Sequence, residues 1–205
     1  MTPAGPTNTP FERVLYAQAA TTVARALVGA RLVRRIDGQR VGGIIVETEA
    51  YHSQADAASH SHRGRTPRNL PMWEAPGHAY VYFTYGMYWL LNVVCEPEDH
   101  PAAVLIRAIE PREGLDLIAE RRAGRPFDEW ASGPGRLTMA LAITGDQNRA
   151  DMTDPASGVW IEPGDPVPDD RVCSGPRIGL GKRVGEPWRS IAWRWWLDDN
   201  PHVSR

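Results

Sequence analysis

The sequence predicts an α+β fold in a single compact domain, on two observations. Apolar residues recur with period two in several short runs joined by hairpin signals. The segments with helical spacing fall between those runs without a regular β-α-β alternation. At 205 residues the chain can bury one core of ordinary size. The whole of 1–205 is expected to form that domain, with residues 1–9 as a flexible, proline-rich leader.

Taken in order, Thr9-Pro10-Phe11-Glu12 has the residues of a helix start. Thr9 would be the N-cap, Pro10 the first helical position and Glu12 the closing member of a capping box. A second helix is expected over 21–28, with Val23 and Leu27 at i,i+4 and Gly29 as its stop. The period then changes to two. Arg31–Ile36 and 40–50 read as strands around Asp37-Gly38, a strong hairpin signal. Alternation places Ile45, Glu47, Glu49 and Tyr51 on one face of the second strand. Residues 80–85 and Tyr88–Val94 predict another hairpin, with Gly86 at the first loop position of a type II′ turn and Tyr85 and Met87 at the tip. Residues 102–108 form a buried strand ending in Arg107, 113–123 a helix stopped by Gly124, and Ser132-Gly133-Pro134-Gly135 opens a helix reaching Ile143. Val159–Glu162 and 190–197 close the chain as strands.

A composition of 42% hydrophobic and 23% charged residues is that of a soluble globule. The eight Trp exceed the average and need core or binding roles. A formal charge of −2 does not announce a polyanion partner, but the charge is uneven. Arg63, Arg65 and Arg68 fall together, as do Arg177, Lys182 and Arg183, while acids crowd 96–99 and 165–170. A local basic face is therefore expected. No stretch approaches the roughly 18 apolar residues of a membrane span, and Met1–Pro6 lacks the layout of a signal peptide. The expected location is cytoplasmic, nucleoid-associated, with no membrane partner. Cys95 and Cys173 lie far apart without Cys-x-x-Cys spacing, which supports buried free thiols and neither a metal site nor a disulfide framework.

Three elements carry chemistry. Glu49 ends an apolar strand, where partial burial can make a carboxylate a general base. Glu47 and Glu49 could equally line a solvated face, but the aromatics nearby and Arg107 favour the catalytic role. The stretch Ala79-Tyr80-Val81-Tyr82-Phe83-Thr84-Tyr85-Gly86-Met87-Tyr88 offers flat aromatic faces and an apolar tip of the kind that wedges between base steps. Between them His60 can stack on a base, and Arg63, Arg65 and Arg68 can neutralise phosphates. Arg136, at the helix opened by Ser132-Gly133-Pro134, and Lys182 are further candidate phosphate contacts. The run Ser174–Lys182 has the wrong spacing for a nucleotide-hydrolysing loop, and Arg183 stands where Ser or Thr would bind magnesium. Together these elements point to an enzyme acting on a base in nucleic acid.

The order and spacing of Val46-Glu47-Thr48-Glu49-Ala50-Tyr51, His60-Ser61, Thr66-Pro67-Arg68-Asn69, Tyr80-Val81-Tyr82, Tyr85-Gly86-Met87-Tyr88, Asn92, Arg107-Ala108-Ile109-Glu110-Pro111 and Arg177-Ile178-Gly179 resemble the alkyladenine (3-methyladenine) DNA glycosylases. The likeness spans nearly the whole chain after the leader. It implies a curved antiparallel sheet with flanking helices and a protruding hairpin, no metal or organic cofactor, and a monomer acting on double-stranded DNA that contains damaged purines. By the same resemblance Glu49 activates water, and Arg107 and the Ile178 carbonyl help to hold it. Tyr51, His60 and Tyr82 sandwich and hydrogen-bond the extruded base, Tyr85 fills the gap in the duplex beside Met87, and Asn92 disfavours guanine. Two stretches depart from the family pattern: His52-Ser53, and Leu70-Pro71-Met72-Trp73.

Two other readings stand beside this one. Glu47 and Glu49 on one strand face would sit roughly 6.7 Å apart by strand rise, near the carboxylate spacing of glycoside hydrolases. A module that recognises distorted DNA without chemistry would use the same aromatics and arginines.

Overall fold

The computed structural model describes residues 9–204. The leader expected over 1–9 thus lies, apart from Thr9, outside the described residues. Among the described residues, four α-helices, α1 (Arg13–Tyr16), α2 (Ala20–Leu27), α3 (Leu115–Arg121) and α4 (Pro134–Ala140), pack on one eight-stranded antiparallel sheet. Its strands are β1 (Arg31–Ile36), β2 (Gln39–His52), β3 (Ala79–Thr84), β4 (Tyr88–Val94), β5 (Ala102–Glu113), β6 (Val159–Glu162), β7 (Val172–Gly175) and β8 (Arg194–Leu197). The main path runs β3-β4-β5-β2-β1-β6, and β8 joins the far half of β2 with β7 beside it. The α+β class is as the sequence predicts.

Several boundaries differ from the sequence expectation, each for a local reason. The first helix begins at Arg13 with Glu12, not Thr9, in the N-cap position and no side-chain cap, so the capping box does not form. Strand β5 continues through Arg107 to Glu113 because β2 pairs with it along that length, down to Gly42 opposite Glu113. Helix α3 starts only after Gly114 turns the chain at φ 64°. The expected 190–197 strand is confined to Arg194–Leu197, and β7 pairs with it. Cys95 is buried, but Cys173 is only half-buried.

Sheet geometry decides which residues reach the site. On one face, Ala50, Val81, Leu91, Val93, Val104 and Ile106 join Val23, Ala24 and Leu27 of α2 in the main core. On the other, Tyr51, Tyr80, Tyr82, Asn92, Leu105 and Arg107 line a cavity. The expected grouping of Ile45 with Glu47, Glu49 and Tyr51 fails, because two of the three irregularities in the β2–β5 ladder fall between Ile45 and Thr48; the third lies at Gly42/Gly43. Between Ile45 and Glu47 the partner moves only from Ile109 to Ala108, and between Glu47 and Thr48 it moves from Ala108 to Ile106. Val46 on β2 and Arg107 on β5 are thus the extra residues. Ile45 and Ile109 accordingly turn into the main core together with Ala50 and Ile106.

The hairpin of β3 and β4 closes one residue earlier than expected on the β3 side, leaving Tyr85, Gly86 and Met87 between the paired Thr84 and Tyr88. Thr84 pairs with Tyr88, and the Met87 N–H donates to the Thr84 carbonyl. Tyr85 (φ 53°) and Gly86 (φ 69°) are both left-handed, the signature of type I′ rather than II′, with Gly86 second and not first. A bulky residue at positive φ is uncommon and strained. The tip stands away from the body, with Tyr85 77% and Met87 63% exposed.

Candidate active site

Glu49 is fully buried beneath a cavity of about 310 Å³ and borders it through Tyr51, Arg107 and Ile178. Its carboxylate accepts two hydrogen bonds, from the Ile178 N–H on Oε1 at 2.7 Å and the Tyr51 hydroxyl on Oε2 at 2.9 Å, and forms an ion pair with Arg107 (3.1 Å) through Oε2. A carboxylate has about four lone-pair directions, so one acceptor position on Oε1 stays open. Ile178 meets Glu49 through its N–H, whereas the sequence expectation assigned a role to its carbonyl. Burial, followed by the charge of Glu49, raises the Tyr51 phenol well above its ordinary range, so Tyr51 remains a donor.

The aromatic wall follows from alternation on β3. Tyr80 and Tyr82 project to the cavity side, their rings 5.2 Å apart, and the His60 ring meets Tyr82 edge-on at 4.5 Å. His60 Nδ1 lies 2.9 Å from the Tyr80 hydroxyl. Burial, then the Arg68 guanidinium, lowers the imidazole to about 4, while burial pushes Tyr80 up to about 12. At neutral pH the ring is therefore uncharged, a hydrogen-bonding and stacking group rather than a cation. The His60 loop is fixed by Asn69, whose side chain donates to the carbonyls of His60 (2.8 Å) and Gly64 (2.9 Å). Asn92 is buried on β4 and donates to the Tyr80 carbonyl at 3.0 Å, facing the same cavity. Leu70–Trp73, one of the atypical stretches, forms a 3-10 turn that delivers Met72 to the cavity. His52, in the other, is held by Glu96 at 2.6 Å.

Behind Tyr51 lies a pair that the sequence did not disclose. Arg177 and Asp56 are both closed to solvent and joined by contacts of 2.5 and 2.9 Å. The Arg177 guanidinium also donates to the Ala50 carbonyl and sits 4.7 Å from the centre of the Tyr51 ring. It thus ties the end of β2 to the His60 loop and to the segment that carries Ile178. Grouping Arg177 with Lys182 and Arg183 as surface charge is corrected by this burial. Asp56, alone among Ala and Ser residues, gave no signal in the sequence.

The cationic candidates divide. Arg68 stands at the cavity rim, 5.3 Å from the Tyr82 ring and bonded to the Phe83 carbonyl. Arg63 and Lys182 are exposed, while Arg65 lies on Trp73 and pairs with Asp99. Arg136 bonds Ser132 beside a second cavity of about 540 Å³ on the other side of Arg107. Met87 is at the hairpin tip, outside the cavity, and Tyr85 borders both cavities.

Glu47 does not serve as a second carboxylate for glycoside cleavage. It is fully buried and accepts from Arg107 (2.9 Å), Arg194 (2.6 Å) and the Ser204 N–H (2.8 Å). Burial alone would raise it, but Arg107, the Ser204 N–H and Arg194 outweigh that effect and hold it below the usual carboxylate range. Among the described residues no group of three or more His, Cys, Asp and Glu could hold a metal ion, and no helix is long and apolar enough to cross a membrane.

Comparison with known proteins gives a consistent result. The family model described as methylpurine-DNA glycosylase matches residues 14–201. Curated relatives named "Putative 3-methyladenine DNA glycosylase" include one from Chlorobium phaeobacteroides, 44% identical over 89% of this chain and 90% of its own length. Another, from Streptomyces avermitilis, is 42% identical over 98% of this chain and 93% of its own. A third, from Nitrosospira multiformis, is 44% identical over 93% and 91%.

Proposed function

Because this chain belongs to the methylpurine-DNA glycosylase family, and so is a hydrolase of the N-glycosidic bond, we propose that it removes alkylated and deaminated purines flipped out of duplex DNA. The substrate class is that of 3-methyladenine, 7-methylguanine, hypoxanthine and ethenoadenine. The observation that carries this reading is the buried Glu49 carboxylate, held by two hydrogen-bond donors and the Arg107 ion pair at the floor of an aromatic cavity of about 310 Å³.

A base inside a duplex hides its glycosidic bond, and extrusion costs a few kcal/mol. Tyr85, at the exposed hairpin tip with Met87 beside it, fills the vacated gap and offsets that cost. The extruded purine enters between Tyr51, His60 and Tyr82, and Asn92 opposes the exocyclic amino group of guanine. Water takes the open acceptor position on Glu49 Oε1 and loses its proton to the carboxylate as it attacks the sugar carbon. Arg107, 3.1 Å from Oε2, is the counter-ion of Glu49. Glu49 has no surface open to solvent, so the segment carrying Ile178 must yield as substrate and water enter. Arg63, Arg65, Arg68, Arg136 and Lys182 are the phosphate contacts of this reading, which takes the enzyme to act as a monomer in the cytoplasm or nucleoid.

The test is single-turnover excision from a duplex containing one alkylated purine. Glu49→Gln should excise roughly 10²-fold or more slowly, the scale of a lost general base, with lesion-DNA binding retained. Near-normal excision by that variant would sink the assignment. Lys182 is the sole lysine and does not line the cavity, so the reaction uses water and leaves an intact abasic strand. Borohydride should trap no protein–DNA adduct, and an adduct abolished by Lys182→Ala would overturn the water mechanism.

A further inference from the structure

Arg107 has three guanidinium nitrogens, and each meets a different residue, two of them on β2 and the third near the end of the described chain. Nε donates to Glu47 (2.9 Å), one terminal nitrogen contacts Glu49 (3.1 Å), and the other donates to the Ser204 hydroxyl (3.2 Å). Glu47 in turn accepts the backbone N–H of Ser204 at 2.8 Å and Arg194 at 2.6 Å. Residue 204 thus bonds both members of the Glu47–Arg107 pair, through a backbone donor on one and a side-chain acceptor on the other.

We propose that Ser204 is a positioning residue for base excision: it clips Glu47 to Arg107, and that clip aims the remaining guanidinium nitrogen at Glu49. The inference rests on the catalytic reading of Glu49 given above. A guanidinium can rotate about its long side chain unless its fork is filled, and rotor freedom of that kind is what a positioned group must lose. Here the fork is filled where little of it meets solvent: Arg107 is 6% and Ser204 8% exposed. The segment that brings Ser204 in is itself anchored. Asn200 donates to Glu110 (3.0 Å) and accepts the His202 N–H (2.9 Å), and the His202 ring packs edge-on against Phe127 at 5.0 Å. Ser204 lies beyond residue 201, the last one that the family model matches.

The experiment uses the full chain in single-turnover excision at saturating enzyme, with lesion-duplex affinity and melting temperature measured alongside. Ser204→Pro removes both the N–H on Glu47 and the hydroxyl on Arg107, and Ser204→Ala removes only the hydroxyl. The first should slow excision about thirtyfold, about tenfold for the bond to the Glu47 carboxylate and about threefold for the hydroxyl, and the second about threefold. Neither should change affinity. The decisive arm is a double-mutant cycle: on an Arg107→Ala background Ser204→Pro should add no more than about twofold, because residues that act through one partner are non-additive. A loss of about tenfold or more on that background, a loss in affinity instead of rate, or unchanged excision in both Ser204 variants overturns the proposal. Should Glu49→Gln leave excision intact, the catalytic reading fails first. If Glu49 is essential and the cycle is additive, only the role of Ser204 fails.

Discussion

Replacing Asp56 by alanine isolates the contribution of the buried clamp behind Tyr51. Asp56 and Arg177 are closed to solvent and meet at 2.5 and 2.9 Å. The variant leaves the guanidinium only the carbonyls of Ala50 (2.9 Å) and Trp188 (3.3 Å). Removing one partner of a buried pair costs roughly 3–5 kcal/mol. For a domain of this size each kcal/mol lowers Tm by about 2–4 °C, so the expected fall is about 6–20 °C. Calorimetry reads it directly. A second variant separates stability from function: Asp56→Leu with Arg177→Met removes both charges, and such exchanges are often neutral or stabilising. Most of the lost Tm should therefore return. Excision should not, because the apolar pair no longer fixes the His60 loop, the Tyr51 ring and the Ile178 N–H relative to one another. A fall of less than about 2 °C for Asp56→Ala, or full excision by the double variant, would refute the clamp.

Two further outcomes follow from the site. Tyr85→Ala should reduce the fluorescence change of a reporter base placed opposite thymine, because the tip no longer occupies the gap; an unchanged amplitude would make the hairpin a purely structural edge. The His60 imidazole, lowered to about 4, lies below the roughly 6.5 of the free side chain. The unfolded chain therefore binds the extra proton first, and the stabilisation from the neutral ring is complete above about pH 6.5 and lost as pH falls toward 4. Its NMR titration should have a midpoint near 4 that rises in Arg68→Ala, and a midpoint near 6.5 would show that the ring is not held as described.

Much of the site was legible because strand alternation and local motif survive projection onto a linear string. Glu49, Tyr51, Tyr82, Asn92 and Arg107 sit on strands whose period two assigns a face. What failed was long-range. The Asp56–Arg177 pair joins positions 121 apart in sequence, and Ser204 reaches Glu47 across 157. No local pattern marks either. The error over Ile45 has another cause: alternation is a rule of regular ladders, and bulges leave no trace in composition. Similarly, Tyr85 takes a backbone conformation that its residue type disfavours, so the sequence points to the turn that glycine would choose.

Those two bulges act on the chain as opposite frameshifts. The extra residue on β2 changes which parity faces the core, and the extra residue on β5 returns the pairing to its former phase two residues later. Between them the strands keep apolar residues at Ile45 and Ile109 on the helix side and turn Glu47, Glu49 and Arg107 toward the cavity. A perfectly regular ladder through this sequence would put Ile45 among the charges. Excising Val46 alone would improve the regularity of β2 while leaving β5 out of phase with it. The two defects are therefore coupled: removing Val46 alone leaves the pairing out of phase, and removing both extra residues takes Arg107, the centre of the charged cluster, so redesign toward an ideal sheet at this point trades the reaction for the ladder.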